Sequence, residues 1–165
     1  MTSTEMIKDM LERQKKYDAE VFKKHNIISV SRQQLESALF DELGELMHAQ
    51  KGDWCWWKFT QEPTDKAKVF EEYVDVLHFA LMFEIDFGHG CYLNDDIGWN
   101  YRRIKSSSEL GLAYVYSRVL CTLKDADVLA YVIALGLHMD YSIEEIYREY
   151  IRKNEINKER LAKGY

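Results

Sequence analysis

Proline occurs once in the 165 residues, at Pro63. Proline locks φ and removes a backbone donor, so its near absence leaves long stretches free to be helical. The three cysteines, Cys55, Cys91 and Cys121, form no CxxC and no Cys/His ligand spacing, and an odd count excludes a fully paired disulfide framework. Reduced thiols point to a cytoplasmic setting. Crossing a bilayer takes about 20 apolar residues. The longest apolar run, VLAYVIALGLHM, is shorter, so no membrane segment is expected. The N-terminal MTSTEMIKDMLERQKK lacks the apolar core of a signal peptide and carries acidic residues that a transit peptide avoids. Positive charge is also in deficit. A net charge of −6 argues against a nucleic-acid polymer as partner, although a local basic patch can still grip one small anion.

What the chain does have is helical periodicity throughout, which predicts a single all-α domain over 1–165: a bundle of about six helices around one central apolar helix. A first amphipathic helix is expected over Thr4 to Lys24, burying Met6, Met10, Leu11, Tyr17, Val21 and Phe22. Ser31 with Gln34 forms a capping box for a second, which runs to about Gln50, before a tryptophan-rich loop from Lys51 to Pro63. The third, from about Thr64 to Phe87, is apolar nearly all round from Val69 onward and is the central element. Gly88 to Lys105, with its GHG and NDDIGWN, reads as irregular. Three further helices follow: Ser106, with Glu109 as cap partner, to about Leu123; Asp125 to about His138; and Ser142, capped with Glu145, to Gly164.

Two acidic pairs stand out, Glu42 and Glu45 in DELGELMHA, and Glu72 and Asp75 in FEEYVDVLHFAL. A step of three residues turns a helix by about 300°, so the members of each pair project from nearly the same face. One ExxE alone is commonly a wet helix face. The second pair lies on a helix with little other polar surface, where buried carboxylates repel one another unless a cation compensates them. Four hard oxygen donors converging between two helices suit Mg²⁺, with Mn²⁺ as a substitute. In IRKNEINKERLAKGY, Lys153, Asn157 and Arg160 recur at four- and three-residue steps and share one face. Beside an acidic metal cluster, such a stripe suits the far side of a metal-bound polyphosphate, and the two together suggest a nucleoside triphosphate. Trp54, Trp56 and Trp57 either plug the core or offer a wall on which a base stacks. Glu45 with His48 and Asp75 with His78 also parse as the carboxylate-x-x-His pattern of a di-iron helical-bundle oxidoreductase, an alternative that lacks clear partner glutamates on two further helices.

The ordered set of ExxE, WCWWK, ExxD running into DVLHF, and the terminal KNEINKERLAKGY spans Gln14 to Tyr165. It resembles the MazG-like all-α NTP pyrophosphatases, and within them the dimeric dUTP diphosphatase (dUTPase) branch. The resemblance implies a Mg²⁺-dependent homodimer that hydrolyses dUTP, and often dUDP, to dUMP. A pyrophosphohydrolase with another preference, such as dCTP, is the alternative. By the same resemblance Glu42, Glu45, Glu72 and Asp75 match the metal ligands, and Lys153, Asn157, Arg160 and Tyr165 the phosphate and nucleotide contacts. His78 and Phe79 match the residues near the deoxyribose and base, Trp57 an aromatic of the tryptophan loop, and Gln14 with Asp18 a base-reading pair. Asp18 stands where some relatives carry asparagine. Glu45 is expected to orient or deprotonate the attacking water, and Lys153 and Arg160 to stabilise charge on the leaving phosphates. Tyr92, Trp99, Tyr101, Tyr114 and Tyr116 are compatible with a subunit contact.

Overall fold

A computed structural model describes residues 1–92, 94–108, 111–122 and 127–164, and among these the chain is all-α with no strand. Eight helices are described: α1 (Ser3–His25), α2 (Arg32–Ala49), α3 (Lys51–Trp54), α4 (Lys66–Phe87), α5 (Asn94–Ser108), α6 (Leu112–Thr122), α7 (Val128–His138) and α8 (Ile143–Lys163). Local chemistry sets several ends. The Ser31–Gln34 and Ser142–Glu145 capping boxes both form, as does a further one at Thr2 with Glu5. Each satisfies backbone donors that a helix N-terminus otherwise leaves orphaned. Asp65 caps α4 by accepting from Ala67 N at 2.9 Å, and Gly164 ends α8 in the left-handed region at φ 87°.

The central helix is α4, which packs against α1, α2, α7 and α8, while α5 and α6 cover the other side of α7. Its Tyr73, Val74, Val76, Leu77, Ala80, Leu81 and Phe83 are all fully buried. The α4–α7 contact is close. A Cβ on Gly136 of α7 would sit 2.3 Å from the Tyr73 hydroxyl and 2.8 Å from Ile146 Cδ1, so only glycine lets Tyr73 reach the Val132 carbonyl.

The expected irregular stretch from Gly88 to Lys105 is instead mostly helix, since α5 occupies Asn94–Ser108. Ile97, Asn100 and Ile104, at three- and four-residue steps, form its buried stripe against α7, and Asp95 and Asp96 complement the dipole of its first turn. Gly98 does not break it because the helix is held by packing. Because α5 continues through Ser106, that serine caps no new helix; Glu109, Leu123 and Asp125 lie outside the described residues. On α1 the buried stripe is Met6, Ile7, Met10 and Gln14, with Leu11 and Phe22 packed at its edge. The tryptophan loop opens with the single turn α3, where Trp54 Nε1 donates to Met47 O at 2.8 Å. Tyr116 is fully buried with its hydroxyl on Gln50 Oε1, whereas Trp99 and Tyr114 are exposed. No helix among the described residues is long and apolar enough to cross a membrane.

Candidate active site

The α2–α4 contact brings the two acidic pairs together. Glu42, Glu45 and Glu72 each offer a carboxylate oxygen, and the three oxygens lie within 4.8 Å of one another. Such crowding is unfavourable without a counter-charge. Burial, and then the charges of Asp75 and Glu45, push Glu42 up to about 7, and burial followed by Glu45 and Asp75 also raises Glu72. A hard divalent cation would relieve this repulsion, and three converging carboxylates are the donor set it takes. The residues therefore fit the ion expected from the sequence.

Asp75 is committed elsewhere. Its Oδ2 accepts from Lys153 Nζ at 2.8 Å, and the same ammonium reaches Glu71 Oε1 at 3.1 Å. Lys153 is only 6 % exposed, so α8 delivers a buried cation to the carboxylate next to the glutamate cluster. Burial raises Asp75 and Lys153 opposes that rise. Glu71 was not visible as a functional candidate: the sequence shows a second acid beside Glu72, but only the α4–α8 contact gives it a partner. No histidine joins the carboxylate cluster among the described residues.

Beside Glu42 and Asp75 lies a cavity of about 370 Å³, walled by α1, α2, α4 and α8 and lined by Gln14, Asp18, Glu42, Asp75, His78, Phe79, Asn157 and Arg160 among others. Eight of the residues marked in the sequence, Gln14, Asp18, Glu42, Asp75, His78, Phe79, Asn157 and Arg160, thus line one cavity. Trp57 is not among the lining residues; it is half exposed and contacts Trp54 and Trp56 edge-on. Tyr165 lies outside the described residues. On the other side, Asp75 and Glu72 also line an open groove with Lys68, Glu71, Arg152 and Lys153.

The inner end of the cavity is organised by Gln14. Its Nε2 donates to Asp18 Oδ1 at 2.8 Å, while its Oε1 meets His78 Nδ1 at 2.8 Å and accepts from the Tyr150 hydroxyl at 3.2 Å. With the amide N–H on the carboxylate, the amide oxygen faces the imidazole, which must then donate from Nδ1. Burial, and next the Lys153 charge, hold His78 down to about 3. Nitrogen NMR of the imidazole is therefore expected to show a neutral ring from pH 5 to 8, protonated on Nδ1 and bare on Nε2. A titration of His78 near pH 6.5 would contradict this arrangement.

The family model described as dUTPase matches the chain over residues 6–165, and a comparison with curated proteins finds no match. That span includes both acidic pairs, the cavity and the basic face of α8. The chain therefore belongs to the dUTPase family, an all-α family of dUTP diphosphatases that act on a nucleotide.

Proposed function

We propose that this enzyme hydrolyses dUTP, and dUDP, to dUMP in the cytoplasm as a Mg²⁺-dependent homodimer, Mn²⁺ serving as a substitute. The convergence of Glu42, Glu45 and Glu72, with Glu42 also lining a nucleoside-sized cavity, is the observation that carries the reading. Glu42, Glu45 and Glu72 would hold the ion, joined by Asp75 when Lys153 releases it. When bound, a divalent ion neutralises phosphate charge and lowers the pKa of a coordinated water.

The chain's own groups do the rest. Glu45 is the exposed member of the cluster and orients or deprotonates the attacking water. Phe79 presents a flat apolar face inside the cavity, and Gln14, Asp18 and His78 close its inner end. Asn157 and Arg160, one turn apart on α8, face the same cavity and meet the sugar and phosphates. Lys153, drawn off Asp75 by the phosphates, stabilises charge on the leaving group.

The test is product analysis. Incubation with dUTP or dUDP and Mg²⁺ is expected to yield dUMP, turnover is expected to vanish in EDTA, and excess Mg²⁺ is expected to restore it. Turnover that survives EDTA removes the assigned role of the carboxylates.

A further inference from the structure

Two buried polar atoms at the inner end of the cavity have no hydrogen-bond partner: Asp18 Oδ2 and His78 Nε2. Both belong to residues that line the cavity, and both side chains are fixed by the same amide, Gln14, through bonds of 2.8 Å. Because His78 donates from Nδ1, its Nε2 is an acceptor. An ionised Asp18 is an acceptor as well. Two buried acceptors without donors are costly until a ligand supplies N–H groups.

A pyrimidine nucleotide can do so in two ways. The exocyclic amino group of cytosine carries two N–H donors, one for each acceptor. Uracil has a single free N–H on its reading edge, flanked by carbonyl oxygens, and one of those oxygens would face the Asp18 carboxylate. If Asp18 holds a proton, the mismatch disappears: the acid O–H donates to a uracil carbonyl while His78 Nε2 accepts the ring N–H.

Resting on the reading that the cavity takes the base and that Asp18 meets it, we propose that the protonation state of Asp18 sets which base is accepted: as a carboxylate it admits deoxycytidine triphosphate as a second substrate, and as a carboxylic acid it favours dUTP. The environment of Asp18 makes both forms accessible near neutrality. Burial pushes it up to about 7, opposed by Gln14 and reinforced by Asp86 of α4. The other ionisable groups around it are Tyr17 and His25 of α1, His78 of α4, Tyr150 and Arg160 of α8, and Glu42 of α2 across the cavity. His78 stays neutral throughout, so Asp18 carries the change.

The experiment measures kcat/KM for dCTP and dUTP with Mg²⁺ from pH 6 to 8.5, in the wild type and in Asp18→Asn, which keeps the acceptor for Gln14 and replaces the second oxygen by a permanent donor. The dCTP-to-dUTP ratio is expected to rise about tenfold with pH in the wild type, and to be lower and flat in the variant. Calorimetry with the non-hydrolysable α,β-imido nucleotides, in buffers of different ionisation enthalpy, reads the same event directly. At pH 8 the uridine analogue should take up more protons than the cytidine analogue, with the difference lost in Asp18→Asn. A flat wild-type ratio, no dCTP turnover at pH 8.5, or equal proton uptake overturns the proposal. Normal dUTP turnover in those cases leaves the enzyme's main activity standing; loss of dUTP turnover as well indicts the site, while the calorimetry still decides on Asp18.

Discussion

Replacing Glu45 with glutamine removes dUTP turnover, by about a thousandfold or more, and leaves the fold intact. Glu45 lies on the exposed side of α2 with its carboxylate in the cluster formed with Glu42 and Glu72. Glutamine preserves shape and helix propensity, so its structural cost is within about 0.5 kcal/mol. It cannot accept the proton of an attacking water, and it is a far poorer partner for a hard cation. One negative charge fewer also relieves Glu42, whose proton affinity Glu45 helps to raise. The melting temperature without metal should therefore stay the same or increase slightly. Rate of dUMP formation and thermal unfolding by circular dichroism check both halves; a variant with wild-type rate would falsify the role given to Glu45.

Lys153→Met is expected to damage stability and turnover together. The ammonium sits between Glu71 and Asp75 almost out of contact with water. Removing it leaves Asp75, already raised by burial, without its hydrogen-bonded cation and with only the more distant charge of Arg160, and stranding a buried charge costs about 3 kcal/mol. Glu71 is half exposed and rehydrates, so its share is small. The sign with pH follows from Asp75. Its folded-state proton affinity climbs further in the variant, so the loss of stability is full at neutral pH and shrinks as acid protonates it. Added Mg²⁺ should return part of the lost stability by supplying a substitute cation to the freed carboxylate, while turnover stays about a hundredfold down for want of the phosphate partner. Unfolding curves at pH 5 and 7.5, with and without Mg²⁺, separate these effects. Wild-type melting and turnover would mean that Lys153 is an ordinary surface group, against its burial.

The helices that were legible in the sequence are those with chemical punctuation. Ser31 with Gln34, Ser142 with Glu145 and the apolar run after Val69 mark their elements through contacts within a few residues. The α5 helix was not legible because Asn94, Asp95 and Gly98 each favour turns locally, and only the burial of Ile97, Asn100 and Ile104 against α7 decides otherwise. The site divides in the same manner. Glu42 with Glu45, and Glu72 with Asp75, are read from spacing; that Asp75 answers to Lys153 is not, since the lysine lies on a different helix 78 residues away.

By itself the sequence determined the all-α class, most helix ends, the two acidic faces and the basic face of α8, since each follows from periodicity and capping over three or four residues. The tertiary structure alone decided which faces meet. It joined three glutamates across the α2–α4 contact, withheld Asp75 by means of a buried lysine, and locked Asp18 and His78 onto Gln14 at the end of a cavity. The physical reason is range: hydrogen bonds within one turn are encoded locally, whereas burial and charge compensation depend on neighbours that only the packed fold supplies.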